Sequence, residues 1–251
     1  MYPTNVTDAQ WQSIENLIPK SNRKRKYELR IIWDAMMYLV KTGCQWRMLP
    51  NDFPKWQLVY FYFRKWTEEE IIEDILHQIR EQARNKTGKK YQASVGIIDS
   101  QSVRANNNRA LKGVDGGKKV KGRKRHIIVD TNGWLLAVLV HAANLHDSTM
   151  AALLIRRLNE SVTGIKVIFA DGGYRGELIE KVKQVYNYII KIVMRNDTSS
   201  KFKVLPMRWI VERTFSWFDN DRRLSRDVEY LTESSESMVQ LSAIKLILKK
   251  F

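Results

Sequence analysis

A single cysteine, Cys44, stands in 251 residues, which excludes an intrachain disulfide and any cysteine-rich zinc site. A lone thiol suits a reducing compartment and is expected here as a small buried apolar side chain. Histidine is scarce as well. His126, His141 and His146 form no HxxxH or HxxH pair, so a helical zinc site is not expected. The chain lacks a P-loop and a GxSxG elbow, and the glycines of KGVDGGKKVKG do not make GxGxxG. MYPTNVTDAQ has no basic segment followed by an apolar one, so it does not read as a secretory signal. No apolar run approaches the ~20 residues that span a bilayer. The expectation is a soluble, cytoplasmic protein with no membrane partner.

Acidic residues are the other shortage. Against 43 Lys and Arg there are only 27 Asp and Glu, a formal net charge of +16. Such an excess attracts polyanions. The charge is also uneven: between Arg104 and Arg125 nine basic residues face one acid, Asp115, and contribute half of the excess. Arg104, Lys118, Lys119, Lys121, Arg123, Lys124 and Arg125 are the cations of that stretch expected to follow a phosphate backbone.

The first 90 residues read as helices. Thr7 and Gln10 have capping-box spacing, and Trp11, Ile14, Leu17 and Ile18 share a face before Pro19. A basic linker, 22–26, leads to a second helix whose stripe includes Ile32, Ala35, Met36 and Leu39 and which Gly43 ends. Pro54 opens a third helix, which presents Lys55, Gln57, Tyr60 and Arg64, and a fourth runs from Glu68 to about Arg84. Five of the eight tryptophans precede residue 67, enough for a core of its own. The hydrophilic run RNKTGKKYQ marks the boundary between a helical domain, 1–90, and a second domain, 91–251.

Beyond it strands come first. Val95–Ile98 ends at Asp99, and a hairpin at Asp130-Thr131-Asn132-Gly133 joins His126–Val129 to Leu135–His141. Helix 149–158, strand 167–170 ending at Asp171, helix 177–186 and strand 188–193 follow. Pro206 opens a helix that carries Glu212 towards Leu224, and an amphipathic helix, 238–248, closes the series. Asp147 and Ser148 read as helix caps, and Asp130 as a turn residue.

Three acids stand out within this order. Asp99 and Asp171 each follow an apolar strand, where ligands of open α/β sheets gather. Glu212 lies on a helix rich in Trp209, Val211, Phe215 and Trp217, too apolar to be wholly exposed. Taken singly, Asp99 is also readable as a turn former and Glu212 as a solvated partner of Arg208. Taken together they can converge, and converged carboxylates need a cation between them, such as Mg2+. After Asp171, Gly172 and Gly173 permit close approach, Tyr174 offers a stacking face and Arg175 a phosphate fork.

The runs TGCQWRMLPNDFPKWQLVYFYFRKW, IIDSQSVRA, GGKKVKGRKRHIIVD, ADGGYRG and LPMRWIVERTFSWFDNDRRLSRDVEY carry a resemblance. Their order over about residues 5–250 resembles a bacterial insertion-sequence DDE transposase of the insertion-sequence-five family, within the wider four/five superfamily. The resemblance implies an α/β, ribonuclease-H-like mixed-sheet catalytic domain preceded by an all-α DNA-binding domain. It also implies an Asp99, Asp171, Glu212 triad holding two Mg2+ ions, with Mn2+ as a substitute. The implied partners are the element's terminal inverted repeats, target DNA and further copies of the chain in a synaptic complex, at the nucleoid. Relatives in that superfamily carry a Tyr-Arg-Glu-Lys signature. Arg208 and Glu212 match it, while Leu205 and Asp219 stand at the Tyr and Lys positions. Arg222 and Arg223, expected further along the same helix, are the candidate substitutes. The alternatives are a transposase-derived DNA-binding protein without catalysis and a structure-specific nuclease on the same fold.

Overall fold

The structure, a computed structural model, describes residues 1–19, 25–107, 109–194 and 207–251. Pro206, Leu205 and most of the 22–26 linker therefore lie outside the described residues. The chain forms two compact units, Met1–Lys89 with Phe218–Phe251, and Lys90–Trp217. No helix among the described residues is long and apolar enough to cross a membrane.

The first unit is helical. α1, Asp8–Glu15, starts in a reciprocal capping box between Thr7 and Gln10. α2, Leu29–Thr42, buries Ile32, Trp33, Met36, Leu39 and Val40 and stops at Gly43, whose φ of +67° suits a residue without Cβ. α3, Trp56–Glu68, and α4, Ile71–Lys86, add Phe63, Trp66, Ile75 and Ile79 to that core. Each such side chain contributes about 1.5–3 kcal/mol by leaving water. The third helix begins at Trp56 with Lys55 as its N-cap, so Pro54 precedes it rather than opening it.

α8, Thr232–Leu248, belongs to this core too and packs against α4, α2 and α3. It begins six residues earlier than its apolar stretch and is buried nearly all round, not amphipathic. Its buried hydroxyls have partners: Ser235 donates to Asp227 Oδ1 at 2.9 Å and Ser242 to Asp221 Oδ2 at 2.6 Å. A two-part division at residue 90 would leave 218–251 with the sheet. The contacts group that segment with the amino-terminal helices instead, because α8 supplies their missing apolar wall.

The second unit is a six-stranded mixed sheet. β1 is Val95–Arg104, β2 Gly113–Asp115, β3 Val120–Val129, β4 Leu135–Ala142, β5 Val167–Ala170 and β6 Ile189–Ile192. β1 is antiparallel to β3 and parallel to β5, β5 is parallel to β6, and β2 and β4 share the far edge of β3. The resulting order, β4-β3-β1-β5-β6, with three antiparallel strands and two more parallel to the first, is the ribonuclease-H-like arrangement. α5, Asp147–Ser161, and α6, Glu177–Tyr186, join the core through Leu154, Ile155, Leu158, Leu178 and Val182 against Ile98, Ile128, Ile168 and Ile190.

Two differences of boundary bear on the site. β1 runs six residues past Ile98, so Asp99 is in mid-strand rather than at its end. Its polar second half, Ser100–Arg104, is held by pairing with Gly122–His126 of β3, a long-range partner that periodicity does not reveal. α7, Arg208–Asp219, ends before Leu224, and a separate 3-10 turn, Arg222–Leu224, follows.

Candidate active site

Sheet register sets the first two carboxylates side by side. Ile97 of β1 pairs with Phe169 of β5 in parallel. Asp99 and Asp171 lie two residues beyond this pair on each strand, so they reach the same level and the same face. β5 ends at Ala170 while β1 continues, and this step in the sheet opens the crevice. Asp171 caps the 3-10 turn Gly172–Tyr174, its Oδ1 accepting from Gly173 N at 2.8 Å. Asp99 Oδ1 accepts from Ser100 N at 2.8 Å.

α7 supplies the third carboxylate and a cation. Arg208 and Glu212 are one helical turn apart and share a face. Arg208 Nη2 lies 3.9 Å from Asp99 Oδ2, 3.7 Å from Asp171 Oδ2 and 3.6 Å from Glu212 Oε1. These are ion-pair distances, too long for hydrogen bonds. The three predicted acids thus converge as a ring around one guanidinium nitrogen. Side-chain exposure rises from 19% at Asp99 through 33% at Asp171 to 58% at Glu212, giving the site a floor and a rim. Burial pushes the Asp99 carboxyl up to about 6, against the pull of Ser100 N–H and Arg208; Asp171 raises it further and Lys118 lowers it.

The donor set fits a hard divalent cation, since it offers carboxylate oxygens only. Among the described residues, however, no group of three or more His, Cys, Asp or Glu is drawn together closely enough to hold a metal ion as the side chains stand. Arg208 occupies the centre, and each facing oxygen would have to close by about 1.5–2 Å to reach Mg2+ bonding distance.

Behind the ring lies a layer that sequence reading missed. His146, not Asp147, caps α5. Asp147 instead accepts from Ser100 Oγ at 2.9 Å and from Lys124 Nζ at 2.7 Å, which fastens β1 at the residue after Asp99. Tyr174 is buried rather than offering a stacking face, and its hydroxyl lies 2.7 Å from His126 Nε2. Burial, reinforced by Asp99, Asp147 and Asp171, holds the Tyr174 phenol well above its usual range. Neither contact has a local signal, because each joins segments more than 20 residues apart.

The basic stretch divides. Arg104, Lys119 and Lys121 are exposed. Arg123, Lys124 and Arg125 are buried, contrary to the expectation that all seven follow a phosphate backbone: β3 lies inside the sheet, and segments packed over its faces take up Arg123 and Lys124. Arg123 Nε donates to Leu111 O at 2.8 Å, and Lys124 lies between Asp147 and Asp115. Lys118 turns its amine onto Ser100 O at 3.0 Å. Arg175 is exposed, and its guanidinium meets Met194 Sδ.

In the first unit Lys55 and Arg222 are exposed. Arg64 is spent on Ser234 and Glu68, at 2.9 and 2.6 Å. Arg223 is buried, paired with Glu229 at 2.6 Å and donating to Cys44 O at 2.9 Å. It is not on the helix of Glu212, contrary to expectation, and its guanidinium is engaged within the helical unit.

A step between two parallel-paired strands, two aspartates upon it and a helix bringing a glutamate make a carboxylate-lined crevice on a ribonuclease-H-like sheet. Residues 90–243 match a family model described as "Transposase DDE domain", and residues 6–76 one described as "Putative transposase of IS4/5 family". The chain belongs to the DDE transposases. Among curated relatives, "Putative transposase for insertion sequence element IS402" of Burkholderia cepacia is 31% identical over 111 residues, 41% of this chain and 52% of the relative. "Uncharacterized protein y4sN" of Sinorhizobium fredii (strain NBRC 101917 / NGR234) is 25% identical over 120 residues, 47% of this chain and 86% of that one. The match thus spans about half the length of the first relative. Among solved structures, the Drosophila P element transposase strand transfer complex is similar at 12% identity, with a TM-score of 0.35, over 75% of this chain and 45% of that one. The Mos1 mariner paired end complex with Mn is similar at 10% identity, with a TM-score of 0.33, over 96% and 83%. Likenesses of this size carry no detail of a site.

Proposed function

We propose that this protein is a DNA transposase that cuts the ends of its own insertion element and joins them to target DNA, with Asp99, Asp171 and Glu212 as its catalytic carboxylates. The observation that carries this reading is the meeting of all three, from β1, the end of β5 and α7, on one cationic nitrogen. Membership of the DDE transposases supports it.

The three carboxylates would hold two Mg2+ ions, or Mn2+ in their place; when bound, these supply Lewis-acid stabilisation of an in-line displacement at phosphorus. The chain's own groups do the rest. Asp99, on the floor of the crevice, stays ionised in the presence of cationic charge and fixes the level at which the scissile phosphate sits. Arg208 is within reach of the same centre and can turn to a non-bridging phosphate oxygen. In the first step water attacks phosphorus, the P–O3′ bond breaks, and the element end leaves as a 3′-hydroxyl. In the second that hydroxyl attacks a target phosphodiester, a new P–O bond forms, and the target's own 3′-oxygen leaves. One ester replaces another, so no energy cofactor is consumed.

Arg104, Lys119, Lys121, Arg175, Arg222 and Lys55 are the exposed cations suited to the DNA backbone, and they give binding that weakens steeply with salt. The helical unit is the candidate reader of the terminal inverted repeats, and a synaptic complex of several copies would hold two ends at once. The setting is the cytoplasm, at the nucleoid.

The test uses purified protein and a DNA fragment carrying the inverted repeats that bracket its gene. With Mg2+ the protein releases 3′-hydroxyl ends and joins them to a plasmid, and Asp99→Asn abolishes both while still shifting the fragment on a gel. Cutting by Asp99→Asn at the wild-type rate would remove the assignment. Binding without any cut product would mark a non-catalytic relative, and cutting without joining a nuclease.

A further inference from the structure

We propose that Lys118 acts apart from the other cations of its stretch: its ammonium enters the catalytic centre beside Asp99 and grips a non-bridging oxygen of the scissile phosphate. The inference rests on the transposase reading above and names a substrate-contacting residue for it.

Lys118 is carried by a turn between β2 and β3. Asp115 ends β2 as a buried carboxylate, and its Oδ1 accepts from the backbone N–H of both Gly117 and Lys118 at 3.0 Å. Its Oδ2 accepts from Ser102 Oγ at 2.6 Å and lies 3.9 Å from Lys124 Nζ. One side chain therefore ties the turn to β1 and β3 together. Lys119 follows in the left-handed region, φ +54°, and returns the chain into β3. The turn is fixed, and Lys118 is the residue it fixes over β1.

From there Lys118 Nζ donates to Ser100 O at 3.0 Å. Ser100 is the residue after Asp99, beyond the last β1–β5 pair, where the step in the sheet opens the crevice. Its charge acts on Asp99, opposing the effect of burial. An ammonium has three N–H donors, and a bond to one neutral carbonyl engages one of them. A phosphate oxygen is the stronger acceptor for such a group, because both partners are then charged. Arg208 approaches Asp99 from α7, while Lys118 comes from the β2–β3 turn to the carbonyl of the next residue. Arg123 and Lys124, by contrast, are buried in partnerships of their own.

A strap that merely holds β1 would use the same bond to Ser100, so the test separates the two roles. Lys118→Met and Lys118→Arg are compared with Lys183→Met, the same charge change at an exposed site on α6. Cleavage is followed in single turnover at saturating DNA, Mn2+ binding by calorimetry without DNA, and folding by thermal melting. Lys118→Met is expected to cut about ten- to a hundredfold more slowly, the loss of one charge-assisted phosphate contact. It should melt as the wild type does and bind Mn2+ several-fold more tightly, because a positive charge beside Asp99 is gone. Lys118→Arg restores most of the rate, and Lys183→Met matches the wild type in both readouts.

A strap alone predicts the reverse: a lower melting temperature, weaker Mn2+ binding and no rescue by arginine. That pattern, or Lys118→Met cutting at the rate of Lys183→Met, overturns the proposal. Wild-type protein that neither binds Mn2+ nor cuts sinks the transposase reading, and this inference with it.

Discussion

The hydroxyl of Tyr174 lies 2.7 Å from Nε2 of His126, two buried residues that join the turn after Asp171 to the strand opposite Asp99. Burial pushes the His126 imidazole down from 6.5 to about 3, with the nearby cations Lys124 and Lys118 assisting and Asp147 opposing. Between about pH 3 and pH 6.5 the native state therefore holds a neutral ring where the unfolded chain holds a charged one.

The sign follows from proton counting. Below pH 6.5 the unfolded chain takes up a proton that the native state refuses until about pH 3, so stability falls as pH falls through that window. The contribution of this one group is up to about 1.4 kcal/mol per pH unit. Urea midpoints measured from pH 7.5 to pH 4.5 should show this slope, and His126→Gln should flatten it. An unchanged slope in the variant would mean that His126 titrates normally.

Gly133 controls how α7 sits on the sheet. Its φ is +83°, and a Cβ there would lie 2.7 Å from Thr214 Oγ1 and 3.1 Å from the Trp217 ring. The turn is also a docking point: Arg213 Nη2 donates to Asn132 O and Thr214 Oγ1 to Gly133 O, each at 2.9 Å. Arg213 is in turn sandwiched between Trp209 and Trp217, 4.6 and 4.5 Å from their ring centres. Gly133→Ala is expected to destabilise the protein by about 1–3 kcal/mol in chemical denaturation. It should lower the cleavage rate more than DNA affinity, because Glu212 adjoins this hook. Equal losses in rate and affinity would argue against a link to Glu212.

What the sequence made legible was what local chemistry decides. The Thr7–Gln10 box, the Gly43 stop, the Asp130–Gly133 turn and the bounds of α6 each rest on neighbours within four residues. Asp99, Asp171 and Glu212 could be picked out because apolar runs flank them, although their meeting depends on strand register and helix docking. The rest was illegible for physical reasons. KGRKRH looks like a solvated strand, yet Leu111 O and Asp147, from segments packed over its faces, take up Arg123 and Lys124. The serines of α8 look like a polar face, but Asp221 and Asp227 satisfy two of them inside the core. Asp147 has the sequence of a cap and the contacts of a clamp on β1.

Arg223 and Lys121 therefore separate stability from binding. Arg223→Ala removes the buried guanidinium bonds to Glu229 and to Cys44 O, each worth about 1.5–3 kcal/mol for a bond to a charged group. Its melting temperature should fall, while the salt dependence of DNA binding stays that of the wild type. Lys121→Ala, at an exposed site, should leave stability unchanged and reduce the slope of log affinity against log salt by about one. Fluorescence anisotropy over a salt series reads both. A reduced slope for Arg223→Ala would show that its guanidinium reaches DNA after all.

Arg208 makes the sharpest prediction because its two roles pull in opposite directions. Its guanidinium nitrogen stands where the three carboxylates converge, so a divalent cation entering there must displace it. Without the guanidinium, like charges face one another with only Lys118 acting against their repulsion. Arg208→Gln should therefore lose about 1–2 kcal/mol of stability without added metal, a modest sum for partly exposed ion pairs. Added Mn2+ should recover that loss and raise the melting temperature of the variant more than that of the wild type, since no side chain now competes for the site. Cleavage should nevertheless slow, because the phosphate loses a charged hydrogen-bond partner. Calorimetry with Mn2+ alone and single-turnover cleavage read the two effects separately. Tighter metal binding together with slower cutting is the expected pair. Weaker metal binding in Arg208→Gln would mean that the guanidinium organises the carboxylates for the metal instead of standing in its place.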